Sequence, residues 1–105
     1  MSPESLGWWL AGWLALQPGP SRPLERAWAD LIARANVALD VHDHWKDRLS
    51  RQGLELRPEA MTAEQGLIRE MDLAQEQWRA GRWQEAAETM QRASAWVARL
   101  EREQR

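Results

Sequence analysis

Apolar residues recur along most of this chain at intervals of three and four, the period that lines one side of an α-helix. From Leu24 to about Gln52 the stripe is Leu24, Trp28, Leu31, Ile32, Ala35, Leu39, Trp45 and Leu49. From about Ala63 to Ala80 it is Leu67, Ile68, Met71, Ala74 and Trp78, with Leu73 on the opposite side as a candidate exposed contact. From about Arg82 to Glu103 it is Trp83, Ala86, Met90, Ala93, Val97 and Leu100. The first seventeen residues follow a different rule. Leu6, Trp8, Trp9, Leu10, Trp13, Leu14 and Leu16 are spread over nearly every side of a helix opened by Ser2-Pro3-Glu4. No stretch alternates with the period of two that a half-buried strand requires.

Breakers separate these elements. Pro18-Gly19-Pro20-Ser21-Arg22-Pro23 interrupts the chain once, Gly53 fits a helix C-terminus, and 54–61 reads as a connector around Pro58. Thr62 and Gln65 match a capping box opening the next helix, and Gly81 closes it. The expectation is a single all-α domain over residues 1–105, a four-helix bundle with helices at about 3–17, 24–52, 63–80 and 82–103. Linkers at 18–23 and 53–62 join them, and the last two helices form an antiparallel hairpin.

Within that hairpin Gly81, Trp83, Ala86, Met90 and Ala93 have the spacing Gly-x-aromatic-x-x-Ala-x-x-x-large-x-x-Ala, preceded by Leu73-Ala74. This resembles one tetratricopeptide repeat over about 30 residues, from Glu70 onward. It departs from the family pattern at Glu70 and Gln77, where large apolar or aromatic side chains are usual, and it lacks the closing proline. No second copy is visible. The resemblance implies peptide or protein binding without catalysis.

Composition narrows the chemistry. The 105 residues contain no cysteine, which removes disulfides and thiolate sites together. Sixteen acidic and fourteen basic residues are scattered along the chain for a net charge of −2, unlike a strongly basic nucleic-acid binder. Lys46 is the single lysine; every other basic residue is arginine. All eight aromatic residues are Trp, rigid anchors favoured in cores and interface centres. The N-terminal apolar stretch is too short to span a membrane and lacks the basic flank of a signal peptide, so a cytoplasmic protein with no transmembrane segment is expected.

Catalytic motifs are absent: there is no nucleophile elbow, phosphate loop or dinucleotide fingerprint, and no enzyme and no cofactor are expected. Asp40, Asp43, His44 and Asp47 share one side of the second helix and are weak metal candidates, while His42 points into the apolar stripe as a core or interface histidine. Glu88 and Arg92 have ion-pair spacing along the last helix. The expected function is non-catalytic: a structural or interaction subunit of a larger assembly, binding a protein partner or its own copies. Trp8, Trp9, Trp13, Leu73 and Trp96 are its candidate contacts. The alternative is a small nucleic-acid-binding subunit using Arg48, Arg51, Arg57, Arg79 and Arg82, the last two beside Trp78 and Trp83. In size and helical content the chain is similar to small helical subunits of ribonucleoprotein complexes, those of CRISPR effectors among them, an analogy of fold alone.

Overall fold

The computed structural model describes residues 19–105, which form three helices and no strand. We label them α1 (Arg22–Arg51), α2 (Pro58–Arg79) and α3 (Trp83–Glu103). The expected helix at 3–17 lies outside the described residues, so the four-helix count is replaced by three described helices within an all-α fold.

Two prolines start helices where the sequence reading took them to interrupt or connect. Pro23 occupies the first turn of α1, and Pro58 the first turn of α2. A first-turn N–H has no intrahelical acceptor, so proline gives up nothing there and its fixed φ suits the helix. Ser21 caps α1, its hydroxyl oxygen accepting from the Leu24 N–H at 3.2 Å. Because α2 begins at Pro58, Thr62 sits inside the helix and the connector shrinks to the residues between Arg51 and Pro58. Gly53 and Gly81, both with φ near +70°, turn the chain after α1 and α2.

α2 and α3 form a tight antiparallel hairpin. Ala63, Ala74, Ala86 and Ala93 are essentially inaccessible at its seam, and small side chains there let Leu67, Val97 and Leu100 fill the space between the backbones. Gly66 carries this furthest: the Trp96 indole lies directly on the α2 backbone where any Cβ would stand. The Arg99 guanidinium sits 4.8 Å from the centre of the same ring.

The two departures from the repeat pattern become a polar seam. The Arg92 Nε donates to Glu70 Oε2 at 3.3 Å, and its Nη2 donates to the Thr89 hydroxyl at 3.0 Å. Thr89, fully buried, donates to Gln77 Oε1 at 2.6 Å. Arg92 therefore reaches across to α2 instead of pairing along α3 with Glu88. Each polar group buried at this seam has a partner, as burial requires.

α1 lies across the hairpin, antiparallel to α2 and parallel to α3. Leu31, Ala35, Ala38 and His42 are its buried positions. Trp28 stacks on Trp78 with ring centres 5.6 Å apart, and Trp83 meets Trp78 edge-on at 5.2 Å. On the α3 side Arg34 holds Glu101 with a guanidinium fork, and the Gln104 amide donates to the Ala38 carbonyl at 2.7 Å. Two expected core residues fall outside: Ile68 and Trp45 are exposed. α1 leans on α3, so the outer flank of the α2 stripe and the end of the α1 stripe find no covering helix among the described residues.

Candidate protein-interaction surface

The residues that α1 leaves uncovered lie together. Ile32 and Leu39, seven apart, follow Trp28 on the side of α1 that turns toward α2. Met61 and Ile68, also seven apart, flank Glu64 on the side of α2 that turns toward α1. Met61 is 45% and Ile68 43% exposed, with Ile32, Leu39 and Met71 half-buried beside them. Asn36 and Asp43 on α1, and Gln65 and Asp72 on α2, are exposed around this strip. An apolar centre with a polar rim is the anatomy of a protein contact.

One buried polar contact fixes the face. His42 is 2% exposed, and its Nε2 meets Glu64 Oε2 across the α1–α2 junction. That carboxylate oxygen is buried and has no hydrogen-bond partner besides this imidazole contact. A hydrogen bond between them needs the proton on Nε2. The sequence reading of His42 as a core or interface histidine agrees with this position. Beyond it, a cavity of about 350 Å³ opens among His42, Trp45, Leu49, Leu56, Arg57 and Gln104.

The other candidate sites disperse. Leu73 is 37% exposed, on the flank of α2 away from the α1 face, so it is an accessible but separate contact. Trp96 is half-buried and committed to Gly66 and Arg99, which leaves little of its ring for a partner. Trp8, Trp9 and Trp13 lie outside the described residues. Asp40, Asp43, His44 and Asp47 are all exposed, Arg51 takes Asp47 at 3.0 Å, and the described residues hold no group of three or more His, Asp or Glu side chains placed to bind a metal ion.

The arginines divide into two sets at opposite ends of the bundle. Arg57 precedes the first turn of α2 and Arg79 ends it, about 30 Å apart at 1.5 Å per residue. Arg57 pairs with Glu103 and Arg82 with Glu85, each at 3.8 Å, and Arg48 lies over the Trp45 ring. Carboxylates thus offset much of the positive charge that a phosphate backbone would meet.

Elsewhere on the surface, Arg34 holds the Glu101 carboxyl below the usual carboxylate range, chiefly through its hydrogen bonds and then through its charge, with Arg105 adding to the effect. The exposure of Met61 and Ile68 escaped the sequence reading because Met61 falls in the predicted connector and Ile68 in the predicted buried stripe. The signal available was the position of Ile68 at the outer edge of that stripe.

Among the described residues no helix is long and apolar enough to cross a membrane. Compared with known families, curated proteins and solved structures, the chain shows no significant match to any of them.

Proposed function

We propose that this protein is a non-catalytic interaction subunit that binds a protein partner through the α1–α2 face. The observation that carries the reading is the exposed apolar strip of Met61 and Ile68 beside half-buried Ile32, Leu39 and Met71. Exposed apolar side chains gathered on one face, with exposed polar residues around them, suit a contact that excludes water at its centre. The complementary surface is an apolar ridge, such as one face of an amphipathic helix, flanked by basic residues that meet Asp43 and Asp72. The tetratricopeptide-like spacing of the hairpin supports the same class of function. The separated and largely paired arginines favour a protein partner over nucleic acid.

The test is affinity capture on the full chain from extract of its source cells, comparing wild type with Ile68→Asp, Met61→Asp and the pair Arg79→Ala/Arg82→Ala. The expected result is a defined protein retained at high salt by wild type and by the arginine variant, and lost from both aspartate variants. Retention of nucleic acid that washes off at high salt and is lost from the arginine variant would reverse the assignment.

A further inference from the structure

α1 runs past the end of the helix it leans on. The Gln104 amide reaches the Ala38 carbonyl at the close of α3, and α1 continues from Ala38 to Arg51 through about 20 Å of further helix. The cavity of about 350 Å³ lies beside that overhang, bounded also by Glu55 and Leu56 of the connector and by the start of α2. Its size falls within the range of about 300–1,000 Å³ in which proteins hold small molecules.

The lining grades from buried to exposed. His42, Ala60 and Leu100 are buried, Leu49 and Leu56 are half-buried, and Trp45 is 41% exposed. The full charges of the lining balance, with Glu55 and Glu103 against Arg57 and Arg105. Arg57 and Glu103 approach each other only to 3.8 Å, beyond hydrogen-bond distance, so both heads keep unused hydrogen-bonding capacity.

We propose that this cavity binds a free amino acid with a large apolar side chain. Arg57 takes its carboxylate, Glu103 its ammonium, and Trp45, Leu49 and Leu56 receive the side chain. Charge selects this class of ligand. A lone carboxylate brought to Arg57 meets Glu55 and Glu103 as like charges, and a lone amine brought to Glu103 meets Arg57 and Arg105. A zwitterion offers each member of the loose pair its opposite charge and a charge-assisted hydrogen bond. The apolar walls account for the side chain, since a mostly apolar lining with a few orienting polar groups is the usual composition of a small-molecule site. An aromatic side chain gains an offset or edge-on contact with the Trp45 indole as well. Ile32, Leu39, Met61 and Ile68 do not line this cavity, so the site is separate from the α1–α2 protein contact.

Calorimetric titration of the full chain with L-phenylalanine tests this, alongside 3-phenylpropionate, which lacks the ammonium, and phenethylamine, which lacks the carboxylate. The expected result is one saturable site for L-phenylalanine and binding at least about tenfold weaker for each analogue. Arg57→Gln should weaken L-phenylalanine at least about tenfold without weakening phenethylamine. Glu103→Gln should weaken it similarly without weakening 3-phenylpropionate. Both variants should melt with wild type, because the Arg57–Glu103 pair is loose and its arginine is exposed. No saturable binding at about 10 mM L-phenylalanine would overturn the proposal. So would analogues that bind as tightly as L-phenylalanine, which assigns the cavity to an apolar body alone. A lowered melting temperature in Arg57→Gln, with phenethylamine weakened as much as L-phenylalanine, would overturn it too, by making Arg57 a structural support.

Discussion

Gly66→Ala should destabilise this protein, although glycine inside a helix is ordinarily worth replacing. In an open helix interior the exchange stabilises by about 0.5–1 kcal/mol, because glycine loses the most backbone freedom on folding. Here the new Cβ would stand 2.5 Å from Cδ2 and 2.7 Å from Cζ2 of Trp96, with Cε2 nearer still. Carbon atoms in favourable contact are about 3.5–4.0 Å apart, so the indole must retreat by about 1 Å. The ring also carries the Arg99 guanidinium, and overpacking of this kind costs about 1–3 kcal/mol. The cost exceeds the gain, leaving a net loss of about 1–2 kcal/mol. Urea denaturation measures it, and so does a fall of about 4–8 °C in melting temperature per kcal/mol in a domain of this size. The decisive arm is the double-mutant cycle with Trp96→Ala. Once the indole is gone, Gly66→Ala should become stabilising by about 0.5–1 kcal/mol, a reversal of sign that isolates the contact. Stabilisation by Gly66→Ala in the presence of Trp96 would refute the reasoning, because it would mean that the ring does not rest on the backbone.

Two further outcomes follow from the junctions of α1. His42→Ala leaves the buried Glu64 oxygen without its imidazole and should cost about 2–3 kcal/mol in urea denaturation, while the apolar pair His42→Leu/Glu64→Leu should recover most of that loss. Glu101 titrates below the usual carboxylate range in the folded state, so its contribution is fully present above the unfolded glutamate pKa of about 4.3 and is lost as pH falls through the lowered folded value. The stability difference between wild type and Glu101→Gln should therefore be constant near neutrality and shrink toward zero as pH falls through the lowered folded value. Its neutral-pH size should stay below about 1 kcal/mol because both partners are substantially exposed.

The helices themselves were legible because their stripes are long and strongly periodic, and α3 begins and ends within a residue of its sequence-predicted limits. The errors at Pro23 and Pro58 share one cause. Proline is incompatible with a helix interior and well suited to a first turn, and local sequence does not distinguish the two until the N-terminal boundary is known. The candidate surface was harder to read for a reason of tertiary geometry. Ile32, Leu39 and Ile68 lie in their predicted stripes and Met61 in the predicted connector, and whether the margin of a stripe is covered depends on which neighbour a helix leans toward. α1 leans toward α3, and nothing within α1 or α2 alone specifies that. Arg92 shows the same limit for charges. Spacing along α3 pairs it with Glu88, whereas the close α2–α3 approach brings Glu70 within reach and the cross-helix bond forms instead.

The absence of Phe and Tyr ties these features together. With Trp as the only aromatic residue, each large ring in the core is an indole, and a fold this thin can admit an indole only where the opposing surface is small or flat. Trp96 finds that space on Gly66, and Trp28 and Trp83 find it on the faces and edge of Trp78. A groove between α1 and α3 is lined by Leu24, Ala27, Leu31, Ala87, Met90, Gln91 and Ser94, and no indole of the described residues lines it. The α1–α2 face differs in kind: Met61 and Ile68 are exposed on it beside half-buried Ile32 and Leu39, an arrangement suited to meeting the flank of another protein.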